Sequence, residues 1–460
     1  MQRRALIAMS LAALLAAPAL SAADAAAALT DKQIGDLTRT VLFGSDDQMQ
    51  DALAKLEARG GRDIIPSLIV CARYRGDGRI LETLSRLSGA KLNSWNDAML
   101  WQETHPDIKP HATFEAFKLD VFERIDPAFL RFLGKGRADP QKLRIRLEEI
   151  VWGGVPVDGI PSLDYPKLIA AKDASYLKDS DPVFGVSING DVRAYPLRIM
   201  GWHEMFNEVI GGVPVALAYC TLCSAGILFE TDVKGRKKPL VFGSSGFLYR
   251  SNKLMFDRET DSLWNQFTGE PVSGPLVKSG IKLKIRPVTI ASWKSWKKAH
   301  PGTKVLSLDT GYKRDYGSGV VYSDYFSSPD LMFPAFVRDE GVLKRKDYVF
   351  GIRELDAARA WPLSAFKSGK VINDEFAGRP IVLAGDASSR TVRAYERGAN
   401  KFSASGDLSL KSGGDIWQIT EEALIGPSGE KLERVPGHLA FWFAWDVYVG
   451  ERSTLYAPVK

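Results

Sequence analysis

Cysteine and histidine are scarce in this 460-residue chain, with three of the first and five of the second. So few thiols exclude a disulfide scaffold, and any thiol or imidazole chemistry must come from a handful of positions. Beyond the N-terminus there is no apolar run long enough to span a bilayer. No GxSxG elbow is present (Gly243-Ser244-Ser245-Gly246 does not match one), and there is no phosphate-binding glycine loop. A one-sided charge is missing too: 61 Lys and Arg stand against 55 Asp and Glu, a net +6. The densest basic cluster, Lys234-Gly235-Arg236-Lys237-Lys238, reads as a solvated loop between strands. Nucleic-acid binding wants a clustered basic face with aromatics, so nucleic acid is set aside as a partner.

What is present is ordinary globular composition, 45% hydrophobic and 25% charged, at a length that suggests two or three domains. The chain begins Met1-Gln2-Arg3-Arg4, followed by an apolar run from Ala5 through Leu20 and small residues at Ser21, Ala23 and Ala25. This is the pattern of a secretory signal peptide over residues 1–23, with cleavage after Ala23 or Ala25. Arg3-Arg4 does not complete a twin-arginine motif. Removing Arg3 and Arg4 with the leader takes the formal charge from +6 to +4. The expected location is the periplasm or the outside of the cell, with no transmembrane segment after cleavage.

Residues 30–150 read as helical. Met49, Ala52, Leu53 and Leu56 recur at helical spacing, and Ile64 to Val70 opens a helix with Pro66 in its first turn. Further helical patterns cover Arg79–Leu87, Phe114–Phe132 and Pro140–Val151. Such short helix pairs predict a HEAT-like layer, which would be a natural surface for a protein partner. Cys71 falls on the apolar side of one of these helices and reads as a small buried hydrophobe. After Trp152 short β-branched and aromatic runs alternate with turn residues, and Asn189-Gly190 marks a hairpin. The expected class is α+β.

The β-rich half repeats itself. Residues 183–230 overlay residues 349–396 at a constant offset of 166 without a gap. Val183-Phe184-Gly185 meets Val349-Phe350-Gly351, and Arg193-Ala194-Tyr195-Pro196-Leu197 meets Arg359-Ala360-Trp361-Pro362-Leu363. Asn207, Gly212, Pro214, Leu217 and Ala218 meet Asn373, Gly378, Pro380, Leu383 and Ala384. Further on, Trp293 and Trp296 keep the spacing of Trp442 and Trp445. The expected organisation is a tandem duplication, with residues 151–340 as the first copy and 341–460 as the second.

The copies differ where chemistry is concentrated. His203, Cys220 and Cys223 of the first copy stand where the second has Gly369, Asp386 and Ser389. Their joint presence in one copy and joint absence from the other suggest a joint role. Cys220-Thr221-Leu222-Cys223 lies between two strand-like runs, the layout of a metal-binding knuckle. A thioredoxin-type CxxC would instead open a helix. The leading expectation is one copper or zinc ion held by His203, Cys220 and Cys223, with Met255 as a further soft ligand. Glu204 and Asp257 are expected to orient His203 or accept protons beside the ligands. Two alternatives stay open: a thiol–disulfide oxidoreductase using the CxxC pair, and a non-catalytic scaffold. The other histidines, His105, His111, His300 and His438, read as exposed. Substrate and reaction do not follow from the residues.

The ordered series Gly153-Gly154-Val155-Pro156, Asp158-Gly159-Ile160-Pro161, Arg193-Ala194-Tyr195-Pro196-Leu197, His203-Glu204, Asn207, Tyr219-Cys220-Thr221-Leu222-Cys223, Leu248-Tyr249 and Met255-Phe256-Asp257-Arg258 resembles the bacterial and archaeal domain-of-unknown-function family 3179. The resemblance runs over about residues 150–456. Thr221 stands where the family usually has Pro, and Ser224 replaces a common Gly; neither change removes a candidate ligand. The resemblance implies an exported protein with helical repeats ahead of the domain, and it implies no reaction.

Overall fold

The computed structural model describes residues 29–457 apart from Pro140 and Leu355. The leader expected at residues 1–23 lies outside them. Six α-helices, Asp31–Phe43, Asp46–Arg59, Ile65–Arg75, Gly78–Ser88, Trp95–Thr104 and Phe114–Ile125, form the N-terminal layer. Their ends are written in local chemistry. Thr30 with Gln33, and Ser45 with Gln48, close capping boxes at the first two helices. Gly60, Gly76 and Gly89 end three helices in the left-handed conformation. The helix Ile65–Arg75 is apolar almost all round because it lies in the middle of the layer, burying Leu68, Ile69, Val70 and Cys71. Each such Leu or Ile contributes about 1.5–3 kcal/mol by leaving water.

Two helical expectations are corrected. Phe114–Phe132 breaks at Asp126-Pro127, where the Asp126 carboxylate caps a new turn by accepting from the Ala128 N–H. The helix expected over Pro140–Val151 does not form in residues 141–151: Leu147–Glu149 is a single 3₁₀ turn, and Ile150–Trp152 is a strand pairing antiparallel with Phe242–Tyr249. The β-branched and aromatic run Ile150-Val151-Trp152 finds a sheet edge, and tertiary pairing outweighs its helix-like spacing. The layer is seated on the β half by aromatics: Phe122, Phe129 and Phe132 gather round Phe247, with ring centroids 4.7, 4.3 and 6.3 Å away.

The rest of the described chain is mainly strand. One five-stranded sheet runs in the order Thr289–Ser292, Pro182–Ile188, Asp191–Pro196, Lys304–Leu306, Leu168–Ala170. A four-stranded sheet runs His438–Phe441, Tyr348–Arg353, Ala358–Pro362, Ser453–Leu455. In both, the first three strands are antiparallel and the fourth pairs parallel with the third. Two more five-stranded sheets carry the CxxC hairpin and the strands Phe242–Tyr249 and Asn252–Asp257; an eight-stranded sheet begins with Lys370–Phe376 and Arg379–Asp386. No helix among the described residues is long and apolar enough to cross a membrane.

Residues 307–346 connect the two similar sheets with one short helix, Ser323–Ser327. A connection this long with so little regular structure has to be tied down by side chains. Trp202 and Arg198 donate to the carbonyls of Asp315 and Tyr316. Tyr325 donates to the Leu222 carbonyl (2.7 Å), and Lys346 donates to the carbonyls of Tyr325 and Ser328. The strap thereby crosses the CxxC turn.

Candidate functional site

Cys220 ends the strand Val213–Cys220, and Cys223 precedes the strand Ala225–Glu230; the two strands pair antiparallel up to Cys220 and Ala225. Thr221 to Ser224 make the tight loop, with the Ser224 N–H donating to the Thr221 carbonyl at 3.1 Å and Ser224 at φ 47°. This short closure brings the sulfurs to 2.8 Å from each other as free thiols. Cys220 is 2% exposed and Cys223 fully buried.

A second hairpin completes the surroundings. Tyr249 and Asn252 pair across a two-residue turn, Arg250-Ser251, with both residues left-handed at φ 46° and 60°. That turn type favours Asn-Gly, so Arg-Ser holds it under strain. Glu149 anchors it by accepting from Arg250 Nε at 2.5 Å. The turn aims the Ser251 carbonyl at the sulfurs, 3.4 Å from Cys223 and 4.0 Å from Cys220. Asn252 Nδ2 donates to Cys223 Sγ at 3.2 Å and to Gln266 Oε1 at 2.8 Å, while Gln266 donates to the carbonyls of Ala218 and Ala225.

These contacts divide the pair. Burial works to raise the Cys220 thiol, but the hydrogen bond with Cys223 and the backbone N–H groups of Lys253 and Cys223 outweigh it, against the repulsion of Glu204; Cys220 ends below the ordinary thiol range. Burial and the facing Cys220 hold Cys223 well above that range. A more acidic sulfur beside a less acidic one is the arrangement that a nucleophile and its partner need.

Cys220, not Cys223, lines a cavity of about 50 Å³, together with Glu204, Thr221, Lys253 and Tyr322. Glu204 is the left-handed C-cap of the helix Leu197–His203. Its carboxylate accepts from Thr221 Oγ1 (2.7 Å), Lys253 Nζ (3.0 Å) and the Tyr322 hydroxyl (3.4 Å). Met332 and Phe333 of the strap close the other side.

Of the four expected ligands, Cys220 and Cys223 are brought together, and their sulfurs are the donors that converge. His203 is buried with both ring nitrogens engaged elsewhere, Nδ1 with the Pro161 carbonyl (2.9 Å) and Nε2 with the Tyr316 hydroxyl (2.6 Å). Burial pushes it below the usual imidazole range. Met255 packs in an apolar cluster with Met205, Ile227, Phe242 and Trp264. Asp257 is spent on a turn, accepting from the Thr260 N–H and hydroxyl and from Trp264 Nε1. Glu204 therefore serves the cavity of Cys220, and Asp257 serves the scaffold. Among the described residues no group of three or more His, Cys, Asp and Glu side chains is placed to hold a metal ion.

The expectation of exposed histidines is corrected at all four positions: His105 and His300 are half-buried, and the other two are buried. His111 is buried between Ser67 Oγ (2.7 Å) and Thr113 Oγ1 (2.8 Å). His438 is buried against Phe267, its imidazole depressed to about 3 by burial and the Arg353 charge. Sequence reasoning missed Asn252, Lys253, Gln266 and Tyr322. Asn252 and Lys253 lie between the motifs Leu248-Tyr249 and Met255 to Arg258, and they carry no local sign of facing the thiols.

Searches of curated proteins and of solved structures found no match to this chain. Residues 157–452, well over half of its length, match the family described as "Protein of unknown function (DUF3179)". That span contains both cysteines of the site, the Glu204–Lys253 pair and the strap, and the chain belongs to the DUF3179 family.

Proposed function

We propose that the protein is an exported redox protein whose working group is the Cys220–Cys223 dithiol. In the forward direction the two thiols give up two electrons and two protons to an oxidant and close one S–S bond; the reverse restores the thiols. The observation that carries this reading is the 2.8 Å approach of two free thiols of which only Cys220 faces a cavity. Unequal thiol acidities support the same division of labour. An oxidising compartment, read from the leader at residues 1–23, is part of the proposal.

The test is equilibration in graded thiol–disulfide buffers until the redox state is constant, followed by alkylation and peptide mass mapping. The expected result is a two-electron transition between dithiol and Cys220–Cys223 disulfide that Cys71 does not join. A pair that stays reduced in every buffer and under small oxidants alike would overturn the reading. So would stoichiometric copper or zinc uptake by the reduced protein that is lost in both Cys220→Ser and His203→Ala, because it would establish the metal centre instead.

We further infer that the β half arose by tandem duplication. The two similar sheets share strand order and direction. Gly185 lies under the Trp296 indole as Gly351 lies under that of Trp445. Asn207 clasps the backbone of Phe242, donating to its carbonyl and accepting from its N–H, and Asn373 does the same to Phe402. Contacts of Asp31–Phe43 with Asp46–Arg59, and of Ile65–Arg75 with Gly78–Ser88, support HEAT-like pairs in the helical layer.

A further inference from the structure

The reach of an oxidant to Cys220 is set by the cavity. At about 50 Å³ it accommodates only a few water-sized molecules. Cys220 is 2% exposed and Cys223 lies behind it, so a disulfide carried on a polypeptide has no approach to either sulfur while the strap is seated. The strap is seated firmly: Tyr325 is bonded to Leu222 within the CxxC loop, and Lys346 Nζ lies 3.4 Å from the centre of the Tyr325 ring.

The chemistry of the lining is equally selective. Four polar side chains, Glu204, Thr221, Lys253 and Tyr322, share one hydrogen-bonded cluster at the cavity. Val155, Phe247 and Phe333 are among its apolar walls. Breaking an O–O bond needs donors that take up negative charge as it develops on the leaving oxygen. The Lys253 ammonium is such a donor, since it spends only one of its N–H groups on Glu204, while the Thr221 and Tyr322 hydroxyls each give their one proton to Glu204 and hold that carboxylate in place. A second thiol must then stand within reach of the first without rearrangement, and Cys223 does.

We propose that the oxidant of this dithiol is a small hydroperoxide, admitted to the cavity beside Cys220; the proposal rests on the dithiol reading above. The Cys220 thiolate attacks one oxygen of hydrogen peroxide. The O–O bond breaks, its electron pair leaves on the other oxygen, and that oxygen takes a proton through the Lys253 and Tyr322 cluster to become water. Cys220 is now a sulfenic acid, oxidised by two electrons, and the peroxide has been reduced by two. Cys223 attacks the Cys220 sulfur, the S–O bond breaks, and the departing hydroxide takes the proton that Cys223 loses. One peroxide and two thiols become one disulfide and two waters. Return to the dithiol needs a thiol small enough to enter the same cavity: two such molecules give up two electrons and two protons and leave as their disulfide.

The experiment mixes the reduced full chain with hydrogen peroxide, with oxidised glutathione or with an unfolded disulfide-bearing protein, and follows closure of the Cys220–Cys223 bond. Expected is closure by hydrogen peroxide at one equivalent, at least about 10²-fold faster than for a free thiolate, with neither disulfide faster than its free-thiol rate. Cys223→Ser should accumulate a Cys220 sulfenic acid trapped by dimedone. Thr221→Val and Lys253→Met should each slow the peroxide reaction, the first serving where the second fails to fold. Phe333→Ala, which opens the cavity wall, should speed reaction with bulky cumene hydroperoxide more than with hydrogen peroxide. Peroxide reacting only at the free-thiolate rate while a disulfide reacts quickly would overturn the oxidant class and leave the dithiol reading standing. Failure of every oxidant to close the bond would overturn both.

Discussion

Lys253 Nζ meets Glu204 Oε2 at 3.0 Å, and the two side chains keep only 4% and 7% of their exposure. A buried pair of this kind is weak evidence of net stability, but breaking it is expensive because one charge is left without a partner. Lys253→Met, which strands Glu204 against two hydroxyls, should destabilise the protein by about 3–5 kcal/mol. Pairing it with Glu204→Leu should recover most of that loss. Urea midpoints of the single and double variants check the expectation; an equal loss in both would show that packing, not the stranded charge, governs the site.

Glu103 should make stability depend on pH. Burial raises its carboxyl to about 7, against the Phe336 N–H that donates to it at 2.9 Å, and Glu149 adds repulsion. A carboxyl whose folded value lies above its unfolded one favours the fold at low pH. That contribution is complete below about 4.5 and is lost as pH rises to about 7. Glu103→Gln should therefore change little at pH 4 and stabilise at pH 8 by on the order of 3 kcal/mol. Thermal unfolding across that range is the measurement, and a parallel shift at every pH would refute the sign.

A methyl group has no room on Gly351, where a Cβ would fall 1.9 Å from the Trp445 indole; at Gly185 it would fall 2.1 Å from that of Trp296. Gly351→Ala and Gly185→Ala should each cost about 1–3 kcal/mol through overpacking. Comparable losses in calorimetry are expected from both, since both pairs are built alike. A neutral Gly185→Ala would mean that this indole can step aside.

The Arg250-Ser251 turn offers the opposite prospect. Ser251 holds φ 60°, and its buried hydroxyl has no hydrogen-bond partner. Ser251→Gly removes both costs while keeping the carbonyl that faces the thiols, and it should stabilise the protein by about 1 kcal/mol. A lower melting temperature would contradict the assignment of strain to this residue.

Much of the frame was legible because its determinants are local. Ser45 with Gln48, Pro66 and Asn189-Gly190 each act within a few residues, and each sits at the helix start or hairpin that its chemistry favours. The cysteine pair and Glu204 could be singled out for the same reason, lying within or beside compact motifs. Asn252, Lys253 and Tyr322 could not, because each reaches its partner across 29, 49 and 118 residues through strand pairing or the strap. His203 shows the limit of reasoning from shared loss. At the offset of 166 its place is taken by Gly369, as those of the cysteines are by Asp386 and Ser389, yet its imidazole is committed to Pro161 and Tyr316. Pro140–Val151 failed for another reason: helical spacing in a short apolar run says nothing about a waiting sheet edge.

The roof over Cys220 arrives late in the chain. The strap of residues 307–346 follows the cysteines, and the carbonyl of Cys223 receives its hydrogen bond from the N–H of Phe441, near the far end. A chain that emerges N-terminus first displays both thiols to its surroundings before either piece can dock. Until Phe441 reaches Cys223, oxidants too bulky for the finished cavity can still react with the pair. The form first made thus depends on the surroundings of the nascent chain, and refolding under reducing or oxidising conditions becomes a way of choosing it.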